Sequence, residues 1–145
     1  MRINGGFQVS KIKQLGDRIF EKILADRGIE AFNGAQGRIL YVLFQEDGVP
    51  IRTVSEKCGL AITSLTTMLE RMENGGLILR KQDPGDKRKT LLYLTEKARN
   101  LENDYIAVSE EMGDIYYRGF TAEEVKTAEE YLDRIRLTLE RWQPK

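Results

Sequence analysis

Four hydroxyls and five cations are the side chains of this sequence with chemistry to offer. Thr63, Ser64, Thr66 and Thr67 crowd into "ITSLTTMLERMEN", and Arg80, Lys81, Lys87, Arg88 and Lys89 into "LILRKQDPGDKRKTLLYLT". Short hydroxyl side chains both donate and accept hydrogen bonds, so they suit a polar edge approached closely. Clustered cations suit anionic oxygens. A turn needs Pro, Gly and Asp, which Asp83-Pro84-Gly85-Asp86 supplies; it does not need five cations. Other chemistries have little to work with. There is no histidine, so the commonest general base and metal ligand is missing, and neither a Ser-His-Asp triad nor a zinc site is expected. Cys58 is the single cysteine, which rules out an internal disulfide and reads as a small buried apolar residue. Asp83 and Asp86 lie on an exposed turn, where carboxyls keep ordinary acidity, and no Gly-rich phosphate loop is present. An enzyme is disfavoured, and no cofactor is expected.

The elements that must position these residues follow from periodicity. Val9, Ile12, Leu15, Ile19 and Ile23 recur at three- and four-residue steps, one apolar face of a first helix that Gly28 ends. Asn33 is placed to cap a second helix that carries Ile39, Leu40, Leu43 and Phe44 inward, with Gly37 an unfavourable interior residue. Val49-Pro50-Ile51 reads as a short extended link. "RTVSEKCG" gives about two turns, with Val54 and Cys58 on one side and Gly59 as the stop. In "AITSLTTMLERMENGG" the buried stripe is Ile62, Leu65, Leu69 and Met72, opposite the hydroxyls. Leu77–Lys81 and Leu91–Leu94 are the strands of a hairpin. Thr95 caps a long helix that uses Leu101, Tyr105, Val108, Met112 and Ile115. After a break at Gly119-Phe120, Thr121 and Glu124 form a capping box, and Val125, Ala128, Leu132, Ile135, Leu139 and Trp142 alternate three and four like a coiled-coil seam.

The 145 residues fit one domain or two small lobes. Net charge is zero, yet the hairpin is basic while residues 96–130 are rich in Glu and Asp, so the chain carries a local positive field. Met1–Gly6 does not resemble a signal peptide, and no apolar run approaches the ~18 residues of a membrane span. The expectation is a cytoplasmic protein.

Helix, turn, second helix and two-stranded hairpin is the layout of a winged helix-turn-helix. The fold class is therefore mainly α with a small β-hairpin wing, about six helices in all. In that layout Thr63, Ser64, Thr66 and Thr67 face base edges, threonine methyls touch thymine methyls, and Arg71 reaches a phosphate. Lys87, Arg88 and Lys89 sit at the wing tip, against the backbone or in a narrow minor groove. Asp83 caps the turn and Asp86 holds Arg88 in line. A competing reading from another class is a dimeric protein-interaction module that uses the winged lobe.

The sequence also resembles the MarR family of bacterial transcription regulators, from about Ile12 to Trp142. "MENGGLI", "DPGDKRK" and "LYLT" match the end of the family's recognition helix, its wing motif and its closing Leu-Thr, with Met72 for the usual leucine. The resemblance implies one MarR-like domain over 1–145, with a DNA-binding lobe at about 33–95 and dimerisation helices at about 7–27 and 96–142. It implies a homodimer on a palindromic double-stranded operator, acting as a repressor. Carried over by position, DNA contacts fall on Ile62, Thr63, Ser64, Thr66, Thr67, Arg71, Lys87, Arg88 and Lys89. Dimer contacts fall on Ile12, Leu15, Ile19, Leu132, Ile135, Leu139 and Trp142. A small aromatic or phenolic effector would sit between the lobes, against Ile12, Leu15, Tyr41 and Phe44. Two departures stand out: Ala61 replaces a capping Ser, and Ile62 stands where a polar or basic residue is common.

Overall fold

The computed structural model describes residues 1–32 and 34–144. They form two compact units, Met1–Ser109 and Glu110–Lys145. In chain order the elements are α1 (Gly5–Asp26), α2 (Ala35–Gln45), β1 (Val49–Pro50), α3 (Ile51–Cys58), α4 (Ile62–Asn74), β2 (Ile78–Gln82), β3 (Thr90–Leu94), α5 (Glu96–Arg99), α6 (Glu102–Tyr116) and α7 (Ala122–Arg141). The mainly helical winged architecture expected from periodicity is present, with three corrections.

First, the extended link at Val49–Pro50 is a strand. It pairs with β3 through Val49 and Leu92, making an antiparallel sheet of order β1-β3-β2. Proline is tolerated because β1 is an edge strand. Second, the helix after Thr95 is broken. Thr95 accepts from the Ala98 amide (3.2 Å) and caps only the single turn α5, and Leu101 bonds back to Ala98 before α6 begins. Third, Ile62 is 52% exposed, whereas Leu65, Leu69 and Met72 are fully buried. The stripe of α4 starts one turn later than the spacing predicts.

The ends of the helices follow their local chemistry. The Ile29 amide bonds to Leu24 and Gly28 to Ala25 at the end of α1, a Schellman arrangement that Gly28 permits at φ +68°. Gly59 stops α3 at φ +67°. Thr121 and Glu124 exchange bonds of 2.9 and 3.1 Å, the capping box of α7. The expected cap at Asn33 lies outside the described residues. Gly37 is a requirement of the fold rather than a weakness: a Cβ there would stand 2.6 Å from the Phe32 carbonyl oxygen.

The core of the first unit gathers Leu24, Phe32, Ile39, Leu40, Leu43, Val54, Leu65, Leu69, Met72, Ile78 and Leu92, each nearly or wholly buried. Cys58 is buried among these apolar elements, and burial pushes its thiol above the ordinary value, with Arg38 pulling weakly the other way. No residue of α7 is buried.

Candidate nucleic-acid interface

The face of α4 opposite its buried stripe carries Thr63, Thr67 and Arg71 at four-residue steps, with Ser64 and Thr66 on its flanks, and all five are exposed. The Thr66 hydroxyl donates to the Ile62 carbonyl (2.8 Å), so it is left as an acceptor. Among the described residues, the hydroxyls of Thr63, Ser64 and Thr67 have no partner within the chain. Ala61 gives α4 no side-chain cap, which leaves its first amides open to an outside acceptor.

The hairpin cations separate into two groups. Arg80 is mostly covered: its Nε lies 3.5 Å from Glu73 Oε1 without hydrogen-bond alignment, and Nη2 finds no acceptor. Lys81 stands 5.2 Å over the Tyr93 ring. Both lie on the paired strand β2, opposite Leu92 and Leu91. Lys87, Arg88 and Lys89 are exposed at its tip. The tip is tied from inside. Gly85 donates to Asp83 Oδ1 (2.8 Å), and Arg88 donates to Asp86 Oδ1 through its backbone amide (3.0 Å) and its Nε (3.1 Å). These bonds, the side-chain one first, hold the Asp86 carboxyl below its usual value. The Arg88 side chain is 91% exposed, and its bonds to Asp86 aim the guanidinium along the turn.

A cavity of about 350 Å³ lies within the Met1–Ser109 unit. Phe20, Phe32, Tyr41 and Tyr105 supply its rings, and Lys13, Asp17, Glu21 and Arg38 its charges. Tyr105 meets Phe32 edge-on at 5.3 Å, with Tyr41 at 5.7 Å and Phe44 at 5.6 Å. Burial raises the Tyr105 phenol above its ordinary value. Of the four residues expected to line a cavity, only Tyr41 does. Ile12 and Leu15 are exposed on α1, and Phe44 reaches the ring cluster but not the cavity wall. The polar positions Lys13 and Asp17, paired at 2.7 Å, line it instead; a reading that sought apolar lining passes over them.

The apolar residues named for self-association are uncovered. Ile12, Leu15 and Ile19 on α1, and Leu132, Ile135, Leu139 and Trp142 at α7 and its end, are between 38% and 69% exposed. No helix among the described residues is long and apolar enough to cross a membrane, and no cluster of potential metal ligands occurs among them.

Spacing alone also missed the ties at the base of the wing. Asp47, in the turn after α2, accepts the Leu94 amide (2.9 Å) and the Arg99 guanidinium. Lys97 donates to the Gly75 carbonyl (2.8 Å). These partners are 22 to 52 residues apart, and no local pattern announces them.

The same assembly recurs in known proteins. The chain is 28% identical over 113 residues to the HTH-type transcriptional regulator MhqR of Bacillus subtilis (strain 168), spanning 78% of each. Its fold superposes on a mutant MarR from E. coli, solved complexed with operator DNA, with a TM-score of 0.80 at 24% identity, covering 92% of this chain and 94% of that one. PcaV from Streptomyces coelicolor, solved in complex with its natural ligand, gives 0.78 at 23%, covering 94% and 92%. The MarR family model matches residues 32–90, the stretch from α2 through α4 to the far strand of the wing. The helix and the wing fall within this match, and the chain is similar to MarR-type regulators over that stretch.

Proposed function

We propose that the protein is a dimeric, sequence-specific DNA-binding transcription regulator that acts as a repressor. The observation that carries this is the pairing, in one unit, of a hydroxyl-rich α4 face with a wing tip whose Arg88 is exposed but aimed by Asp86. In the major groove, Thr63, Ser64 and Thr67 read base edges, and Thr66 serves as an acceptor. Ile62, exposed at the start of α4, offers apolar contact to a thymine methyl. The uncapped amides of α4 and Arg71 take phosphates. Lys87, Arg88 and Lys89 enter an adjacent minor groove, where the potential is most negative.

The reading lobe spans about 33–95, with dimerisation helices at about 7–27 and 96–142. Ile12, Leu15 and Ile19 on α1, and Leu132, Ile135, Leu139 and Trp142 at α7 and its end, are covered by a second copy, because apolar helix faces left exposed are costly in water. Twofold symmetry then sets two reading heads roughly 34–36 Å apart on a palindromic operator. The aromatic cavity takes a small aromatic or phenolic effector, with Phe20, Phe32, Tyr41 and Tyr105 against its ring. The relatives are named transcriptional regulators rather than enzymes, and a cytoplasmic location fits contact with DNA.

The test is selection of bound duplexes from a random pool, followed by a salt titration on the winner. A palindromic motif and an affinity that falls steeply with salt are expected. Failure to retain any duplex in near salt-free buffer refutes the reading and leaves the winged lobe as a protein-binding module.

A further inference from the structure

The stretch Thr95–Arg99 engages elements elsewhere in its unit through three side chains. The Thr95 hydroxyl donates to the Gly76 carbonyl (2.6 Å) while accepting from Ala98 (3.2 Å). Lys97 Nζ donates to the Gly75 carbonyl (2.8 Å), and its stem lies over Gly76, with Cδ 3.9 Å from where a Cβ on that glycine would be. Arg99 holds Asp47, which also takes the Leu94 amide at the end of β3. Ala98, fully buried, seats the stretch.

Gly75 and Gly76 end α4 and turn the chain into β2, Gly76 at φ +75°. Carbonyls at a helix C-terminus lack intrahelical donors and carry partial negative charge, so an ammonium and a hydroxyl satisfy both needs at once. The Glu73–Arg80 ion pair joins α4 to β2 a second time.

We propose that Thr95 and Lys97 are positioning residues for DNA reading: they lock the last turn of α4 to the base of the wing, so that both reach the duplex as one rigid piece. The proposal rests on the DNA-binding reading above. Lys97 is basic and exposed, and would pass for a phosphate contact. Its ammonium is already engaged by Gly75, and salt dependence separates the two roles.

Lys97→Met keeps the stem and removes the donor, whereas Lys97→Arg keeps a donor. Each variant is titrated, across salt, against the duplex selected by the parent and against a random duplex of equal length. Positioning predicts a cognate affinity lower by about tenfold for Lys97→Met, little change on random DNA, an unchanged salt slope, and recovery in Lys97→Arg. Equal losses on both duplexes, with a slope shallower by about 0.9 per lost contact, make Lys97 a phosphate ligand and overturn the proposal. An unchanged ratio of cognate to random affinity overturns it as well. Thr95→Val, with Thr95→Ser as its conservative partner, repeats the comparison at Gly76.

Hydrogen exchange without DNA is the second arm. The amides of Gly76 and Leu77 donate to Glu73 and Met72 at 3.0 and 2.9 Å. They should exchange faster in Lys97→Met and recover in Lys97→Arg; unchanged protection overturns the lock. If the parent retains no duplex, the DNA-binding reading is what fails, and exchange still decides whether Lys97 holds the helix end.

Discussion

Replacing Gly37 with alanine should destabilise the protein, although alanine is the better helix former. Inside α2 the exchange is worth roughly 1 kcal/mol in alanine's favour from backbone entropy alone. Against this, the new Cβ would stand 2.6 Å from the Phe32 carbonyl oxygen and 3.2 Å from its carbon, where ordinary contact begins at 3.4 Å. The obstructing atoms are backbone, and Phe32 is fully buried. Gln36 also ties the preceding loop by donating to the Ala31 carbonyl at 2.8 Å. Relief therefore requires α2 to move away from a packed residue rather than a side chain to swing aside. Overpacking of this kind costs up to about 3 kcal/mol. With the propensity gain subtracted, a net loss of up to about 2 kcal/mol remains, which lowers the melting temperature by up to roughly 8 °C for a chain of this length. Thermal and urea unfolding of parent and Gly37→Ala, at equal protomer concentration because self-association shifts both midpoints, make the measurement. A variant as stable as the parent, or more so, would refute the steric argument and show that the Phe32 turn yields freely.

Other expectations concern the interface and the surfaces around it. Arg88→Ala should weaken binding to most sequences and make the salt slope shallower by about 0.9 per wing; an unchanged slope would place the arginine off the duplex. Thr67→Ala or Ser64→Ala should cost ~1–3 kcal/mol on the cognate site and little on random DNA; equal losses on both would mean the hydroxyls touch only backbone. Leu132→Glu combined with Leu139→Glu should give monomers or aggregates in light scattering, and an intact dimer would dismiss the α7 seam. The Cys58 thiol is raised by burial, so the unfolded chain ionises first, and stability should decline as pH rises past the ordinary thiol value. Alkylation of the native protein at neutral pH should be slow, and rapid labelling would show that Cys58 is not shielded.

Much of the wing was legible because its signals are local. Asp83-Pro84-Gly85-Asp86 makes a turn by its own side-chain and backbone bonds, and Asp86 reaches Arg88 two residues away. The capping box of Thr121 and Glu124 is likewise three residues wide. Other features were illegible because their cause lies elsewhere in the chain. Arg80 counted as one of five hairpin cations, and nothing local announced that it would lie mostly covered beside Glu73. Val49–Pro50 became a strand only because Leu91 and Leu92 came to lie beside it. The cavity's charged wall comes from α1 positions that a search for apolar lining passes over.

Spacing and residue type by themselves determined the order of the main helices and the hairpin, the turn chemistry and the basic tip, since a helix face or a turn is decided within a few residues. Tertiary structure alone decided which cations remain free, why residue 37 must be glycine, and what holds the end of α4. In each of those cases the deciding atom belongs to a residue whose approach is set by packing of the whole unit, and no periodicity along the chain encodes it.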